Sequence, residues 1–331
     1  MTITTDTAAV LSGAPSAAAT RQRRVALLRD VGIGILPVIL FLVLTFTTDS
    51  FFTADNLRNV LNGAVALGLI ACAGTVVIIA GGFDLSAAAI FAVAGVSAAL
   101  VSNETSAPVG ILVGLVVGCG LGLINGVLVS VGRVNQFVGT LGTMIAYAGL
   151  ATALSGSGLI IIADPAFASS ANTTILGLRS ASWVLIIFAV VCAVLLNLTV
   201  FGRHAYATGG NASAARLSGV SVNRTLIVAY VLSGGAAALA AVLTAGTSLS
   251  VSATSGSGLI FDALAAILIG GNSILGGRGA IWRTIVGVLT LALISNGFNL
   301  LGVDPNYQQM VSGIIILVAV AVDAWTRRRT S

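Results

Sequence analysis

The sequence predicts an all-α integral membrane protein of about ten transmembrane helices, some short or broken, with cytoplasmic N- and C-termini. Three observations carry this. Apolar residues make up 57% of the chain and charged residues 8%, against about 45–50% and 25% in soluble domains. About ten apolar segments are each roughly long enough to cross a bilayer core of about 30 Å. The fifteen basic residues are all arginine, and if the N-terminus is cytoplasmic thirteen fall on that side: Arg21, Arg23, Arg24, Arg29, Arg133, Arg203, Arg216, Arg224, Arg278, Arg283, Arg327, Arg328 and Arg329. Only Arg58 and Arg179 fall outside. This asymmetry is the positive-inside pattern, which sets topology and orientation together.

Residues 1–30 read as a disordered cytoplasmic tail, since the first twenty are mostly Ala, Ser, Thr and Gly with few bulky apolar side chains. Arg21–Arg29 precede an apolar run from Val31 to Phe46. No A-x-A-like site follows it and many spans do, so it reads as an uncleaved first span and not a signal peptide. The membrane-spanning body is 31–325, with spans expected at 31–47, 58–80, 86–102, 108–131, 136–154, 182–199, 225–247, 259–272, 284–301 and 308–325. A basic cytoplasmic tail, 326–331, follows. The largest outer loop is 155–181 and the largest inner loop 200–224.

Segment 259–272 is too short, about 21 Å of helix. Either its helix starts earlier, through the Ser/Gly-rich 248–258, or it is broken or re-entrant; irregular backbone at membrane depth then needs protein or a water-filled path around it. The fourth span carries Gly110, Gly114, Gly118, Gly122 and Gly126 at a strict period of four. One helix stripe without side chains lets a neighbouring helix approach closely. Cys72, Cys119 and Cys192 all lie inside apolar segments and read as small buried residues, neither disulfide partners nor metal ligands.

Several functions are excluded or disfavoured. A net charge of +5 spread over thin loops, not gathered on one face, does not indicate nucleic acid. Without lysine there is no G-x-x-x-x-G-K-[ST] phosphate loop and no Schiff base. A single histidine, His204, rules out a His metal cluster, so no metal and no cofactor is expected. If transport is driven by ATP, the ATPase is another chain. An ion-coupled secondary carrier is the alternative, with Asp84 and Asp262 as its few candidate ionisable residues.

Three cytoplasmic constellations stand out. In Gly81-Gly82-Phe83-Asp84-Leu85-Ser86 the glycines end one helix and Asp84 or Ser86 caps the next; the plain reading is a tight turn. In 209–219, Asn211 is a good N-cap, Ala212 to Leu217 favour helix and Gly219 is a stop. This is a short helix between glycine joints, suited either to a partner's groove or to the membrane surface alone. In 270–279 five glycines in ten residues, with Gly276, Gly277 and Arg278 among them, read as a compact re-entrant turn more readily than as a phosphate cradle, for want of a lysine.

The stretches GGFDLS with its following small-residue span (81–100), INGVLVSVGRVNQFVGTLGTM (124–144), FGRHAYATGGNASAARLSGVSVNR (201–224), FDALAAILIGGNSILGGRGA (261–280) and NGFNLLGVDPNYQQMVSGIIILVAVAVD (296–323) resemble the ribose/monosaccharide-type permeases of bacterial ABC importers. The resemblance runs over nearly the whole chain from about residue 30. It implies a multi-pass protein of the bacterial inner membrane, dimeric with a second permease subunit, homomeric or heteromeric, with a cytoplasmic ABC ATPase below and a periplasmic or lipid-anchored sugar-binding protein above. It also implies that 209–219 is the ATPase-coupling loop, with Gly209, Gly210, Asn211, Ala214, Ala215, Arg216, Ser218 and Gly219 matching the family pattern. Ala212 and Ser213 stand where relatives often carry glutamates, leaving Arg216 as the charged contact; Val134-Asn135-Gln136 stand where prolines are frequent. The expected action is translocation of a monosaccharide or related polyol by alternating access; a permease for another solute such as a branched-chain amino acid is the alternative.

A sugar path needs hydroxyl partners, and polar residues within the spans include Asn62, Thr75, Asn125, Thr140, Thr143, Asn296 and Asn299. Each can equally serve helix–helix hydrogen bonding. The arginine sorting makes one direct prediction: reporter fusions at Ser170 and at Ser331 should report opposite sides of the membrane, and same-side signals would refute the span count or the orientation.

Overall fold

A computed structural model describes residues 34–304 and scattered positions between 307 and 317. The N-terminal tail, the basic C-terminal tail, the siting of both termini and most of span 308–325 lie outside the described residues. The described chain is almost wholly helical. In order come α1 (Gly34–Thr47), α2 (Ala54–Ile79), α3 (Ala87–Glu104), α4 (Ala107–Ser130), α5 (Gln136–Ser155), α6 (Ala166–Asn172) and α7 (Ser180–Leu198). Then follow α8 (Val200–Gly210), α9 (Ala212–Leu217), α10 (Val222–Ser248), α11 (Leu259–Ile269) and α12 (Ile281–Leu300). Among the described residues seven helices, α2, α3, α4, α5, α7, α10 and α12, are long and apolar enough to cross a membrane. They coincide with seven of the ten expected spans. The shortfall has local causes: α1 starts at the edge of the described chain, α11 is a half-length helix, and the last span is only sparsely described.

Helix starts follow from short polar side chains. Thr53 caps α2 by accepting from the Asn56 amide at 3.3 Å, and Asn135 caps α5 by accepting from Phe137 N and Val138 N at 3.0 and 3.3 Å. Pro108 enters the first turn of α4, where a missing N–H costs nothing.

Helices α2, α3 and α10 form the enclosed centre, while α4, α5 and α7 expose broad apolar faces, Leu112, Val116, Ile145 and Ile187 among them. The five α4 glycines form one buried stripe. At its N-terminal half, a Cβ on Gly114 would lie 2.9 Å from the Ala94 carbonyl oxygen of α3. At the other half, a Cβ on Gly126 would lie 2.9 Å from Ile227 Cα of α10, and Gly118 and Gly122 face the Gly234 and Tyr230 carbonyls. Backbone therefore packs on backbone along the whole helix.

The chain before α11 enters the bundle without helical structure. Strand β1 (Ile160–Ile161) pairs antiparallel with β4 (Ser250–Val251), Ile160 opposite Val251; between them β2 (Thr174–Ile175) and β3 (Leu178–Arg179) form a hairpin. From Val251 the chain runs along α3, where Gly95 and Phe91 lie against Val251 and Gly256. Its backbone is satisfied by local turns: Ser252 N donates to Ser255 Oγ at 3.0 Å, Ser257 N to Thr254 O at 3.2 Å and Leu259 N to Gly256 O at 2.9 Å. This is how irregular backbone is accommodated inside a bundle. Helix α11 itself is about 16 Å long, roughly half a bilayer core. Of the two readings of 259–272, the broken helix is the one observed.

Gly122→Val places two methyl groups where the Tyr230 carbonyl now sits. We expect α4 and α10 to separate, at about 1–3 kcal/mol or more, read as a lower unfolding midpoint in detergent. Gly120→Val, where a Cβ meets nothing within 4 Å, should leave the midpoint near that of the parent.

Candidate functional site

The three glycine-rich constellations, far apart in sequence, meet in one junction. The C-terminal end of α2, the end of α8 and the 270–280 turn come together at backbone distance. Gly277 N donates to the Ile79 carbonyl at 3.0 Å. A Cβ on Gly209 would collide with that same carbonyl oxygen and would lie 2.6 Å from Gly277 N. A Cβ on Gly81 would lie 3.0 Å from Gly209 Cα, and one on Gly277 2.7 Å from Gly210 Cα. So Gly209 serves a close approach and not a flexible joint. Tyr206 fastens the junction, donating to the Gly279 carbonyl at 2.8 Å. Burial raises the Tyr206 phenol above its ordinary range, against the pull of the Arg283 charge, so it remains a donor at neutral pH.

The 270–280 turn is organised by Asn272, which is buried. Its side-chain amide donates to Ile267 O at 3.2 Å and Thr284 Oγ1 at 3.0 Å, and its oxygen accepts from Ala280 N at 2.7 Å. Thr284 in turn lies 2.6 Å from Thr75 Oγ1 of α2.

Past Gly82 the chain folds into the bundle instead of turning at its surface. Asp84 is buried, and its carboxylate accepts from Ser86 N at 3.0 Å, Ser86 Oγ at 2.6 Å and Ser233 Oγ at 2.7 Å. Asn125 donates to Ser86 Oγ at 2.6 Å and accepts from Tyr147 OH at 3.2 Å. Thr140 accepts from Leu85 N at 3.2 Å, and Tyr230 OH donates to Phe83 O at 3.0 Å. Ser233 lies eleven residues into α10, so this hub sits about 16 Å along that helix. Ser86 precedes α3 but makes no side-chain cap bond; its hydroxyl serves Asp84.

Asn211 caps α9 by accepting from Ala214 N at 3.0 Å, and Gly219 ends it at φ +83°, a left-handed conformation. Arg216 and Leu217 are exposed, Leu217 to 92%, while Ala215 is the buried anchor. The helix presents an apolar and a basic side chain outward and holds itself by one alanine. Arg278 lies in the 270–280 turn.

The polar residues of the spans separate into two groups. Thr75, Asn125 and Thr140 are buried and bonded within the protein, as above. Asn296 and Asn56 form a reciprocal amide pair at 2.8 and 3.0 Å across α12 and α2. Asn62 accepts from Ser182 Oγ at 2.9 Å and lines an open cleft of about 400 Å³ with Asp55, Arg58, Asn59, Thr174, Gly177 and Arg179. Thr143 is half-buried and Asn299 exposed. Asn296 and Asn299 therefore do not act on one partner. Ser233, Tyr147, Tyr230, Asn272, Thr284 and Asn56 carry the polar networks without having been picked out as partners by spacing: Asn56 opens α2, Asn272 lies in a glycine-rich turn, the others lie within helices, and only the fold pairs them.

Asp84→Ala would leave the Ser86 and Ser233 donors buried without an acceptor, at about 1–3 kcal/mol per group. We expect a marked loss of unfolding free energy in detergent, and a smaller one for Asp84→Asn, which keeps one acceptor oxygen. Parent-like stability of Asp84→Ala would exclude a structural role for the hub.

Comparison with known proteins adds the following. The family model described as branched-chain amino acid transport system / permease component matches residues 56–320. The ribose import permease protein RbsC of Escherichia coli K12 is 35% identical over 294 residues, covering 86% of this chain and 91% of that protein. RbsC of Bacillus subtilis is 35% identical over 288 residues, covering 86% and 89%. The L-arabinose transport system permease protein AraH of E. coli K12 is 33% identical over 298 residues, covering 90% and 91%. No solved structure matches significantly.

Proposed function

Because this chain belongs to that family of transport-system permease components, we propose that it is the membrane-spanning subunit of an ATP-driven ABC importer that passes a monosaccharide or related polyol across the bacterial inner membrane by alternating access. The family description names branched-chain amino acids. The relatives that align over most of the chain are named for ribose and L-arabinose, which favours a sugar over an amino acid and an importer over an ion-coupled carrier. ATP hydrolysis belongs to a separate cytoplasmic chain, and a sugar-binding protein and a second permease subunit complete the assembly.

The observation that carries the mechanism is the exposed, capped helix α9 one residue beyond the glycine junction. Arg216 and Leu217 offer an ATPase groove a charge and an apolar knob. Because α8 meets α2 and the 270–280 turn at backbone distance, a displacement of α9 would be passed to them with no soft side chain between to absorb it. The α2 end leads directly into the Asp84 hub and the 270–280 turn leads back into α11. Differential affinity of ATP for two arrangements of these elements would then drive the cycle. For the sugar, the hydroxyls of Ser252, Thr254, Ser255 and Ser257 before the broken helix, with Asn62 in the outer cleft and Thr143, supply partners that the bundle does not already use fully.

Arg216→Glu reverses the charge offered to the ATPase, and Gly219→Val puts a β-branched residue at φ +83°, at about 1–2 kcal/mol. Either should cut sugar uptake and ATPase co-purification, by at least roughly tenfold for the charge reversal, with membrane insertion intact. An inserted Arg216→Glu protein that keeps its ATPase and transports at the parental rate would overturn the assignment; an ion-coupled carrier would show that result.

A further inference from the structure

We propose that a cleft beside α9 is a binding site for the headgroup of an anionic phospholipid. The cleft measures about 500 Å³ and is lined by Arg133, Arg216, Val220, Ser221, Val222, Asn223 and Arg224. Its three arginines come from separate places, the α4–α5 turn, α9 and the first turn of α10. All three are exposed, and among the described residues none has a salt-bridge partner.

Among the described residues no acid is placed to serve them. Among the described residues Asp49, Asp55, Glu104, Asp164 and Asp304 lie at the opposite ends of the spans, Asp262 is in the first turn of the broken helix, and Asp84 is buried in its hub. The described part of the chain leaves the three arginines without a counter-anion, which a bound headgroup phosphate would supply. Arg133 also stands at φ 54°, a conformation a non-glycine residue adopts at a cost, on an exposed turn.

The surroundings favour a lipid over an acidic protein surface. Arg224 follows the start of α10 by two residues and Arg133 follows the end of α4 by three, which puts both at the ends of membrane-spanning helices. Immediately along those helices the surface is exposed and apolar: Val127 and Val131 on α4, Val134 and Val138 about α5, Val228 on α10. Arg224 and Val228 are four apart and share a helix face. Charge at the helix ends running into apolar wall is the shape of a headgroup with acyl chains attached. Arg216 is the residue offered to the ATPase, which leaves Arg133 and Arg224, beside the apolar wall, as the pair for the headgroup; a basic pocket between spans on the cytoplasmic side is a recognised headgroup site.

The test uses the full-length protein purified in a zwitterionic detergent-free bilayer disc of phosphatidylcholine, with and without phosphatidylglycerol. Affinity is read by native mass spectrometry of retained phosphatidylglycerol, and stability by the unfolding midpoint. The double variant Arg133→Gln/Arg224→Gln leaves Arg216 on α9 untouched, so failure here is separable from failure of the ATPase-coupling assignment. At about 1 kcal/mol per arginine, each replacement should weaken phosphatidylglycerol retention about fivefold, and Arg→Lys at the same positions should restore most of it. Arg58→Gln, on the opposite face, should change nothing. Inorganic phosphate added to phosphatidylcholine discs should not raise the midpoint; if it does so as well as phosphatidylglycerol, the site takes a free anion and the lipid assignment fails. Retention unchanged in the double variant overturns the proposal, as does an unchanged retention with lost ATPase co-purification, which would assign the cleft to an acidic protein surface. If the double variant does not insert, Arg133→Gln alone, in an exposed turn, decides the question by the same fivefold criterion.

Discussion

The structure depends on backbone meeting backbone. In lipid there is no hydrophobic force to press helices together, so helix association must come from dispersion and from polar contacts made at short range. Five successive turns of α4 carry no side chain on one face, and α3 and α10 occupy that face in turn. The neighbours answer with small residues of their own: Ala94 and Ala98 on α3, Gly234 and Ala238 on α10. Any larger side chain on either helix would open the contact. Because α4 is the shared wall, opening it would release α3 and α10 together, and with them Ser233 and the bonds it brings to Asp84.

The second constraint is polar. Water is scarce inside the bundle, so each buried polar group must find its partner in the protein. Among the described residues Asp84 has no cation beside it; two hydroxyls and an amide surround its carboxyl oxygens. Those donors come from the loop itself and from α10, and Asn125 and Tyr147 bring in α4 and α5. A buried polar group left without its partner costs about 1–3 kcal/mol. The hub therefore sets the relative depth of four elements, as Asn272 does for α11 and α12 at the other turn.

The seven long spans, the half-length α11, the α4 stripe and the capped α9 were all legible in the sequence, because each is a one-dimensional pattern: an apolar run, a run cut short, a period of four, a cap and a stop. What was not legible is which distant residues meet. Gly81, Gly209 and Gly277 each look like a local turn or joint, and only the assembled chain makes them one contact. Asn296 and Asn299 share a spacing that makes them look paired, yet Asn296 bonds to Asn56 on another helix. Ser233 and Tyr230 are unremarkable in an apolar helix, and the loop 81–86 has to fold inward before they acquire a role. Periodicity reports which face of a helix is buried; it carries no information on what is buried against it.

The same geometry bears on how motion passes through the protein. A contact between two long side chains can yield by rotamer changes, each worth of order 1 kcal/mol. The contact among Ile79, Gly81, Gly209 and Gly277 has no side chains at those glycines and includes a backbone hydrogen bond. It can move as a block or it can break, but it has little compliance between. Breaking it would strand the Ile79 carbonyl and the Gly277 amide away from solvent, at about 1–3 kcal/mol per unpaired group. Moving as a block carries the end of α2 and the 270–280 turn along with α8. The least costly response to a displacement at α9 is thus a rigid shift, which the non-helical residues 252–258 ahead of α11, held by local turns, can take up. A half-helix joined on one side to a rigid junction and on the other to serine-rich turns is free to tilt where a full-length span is not.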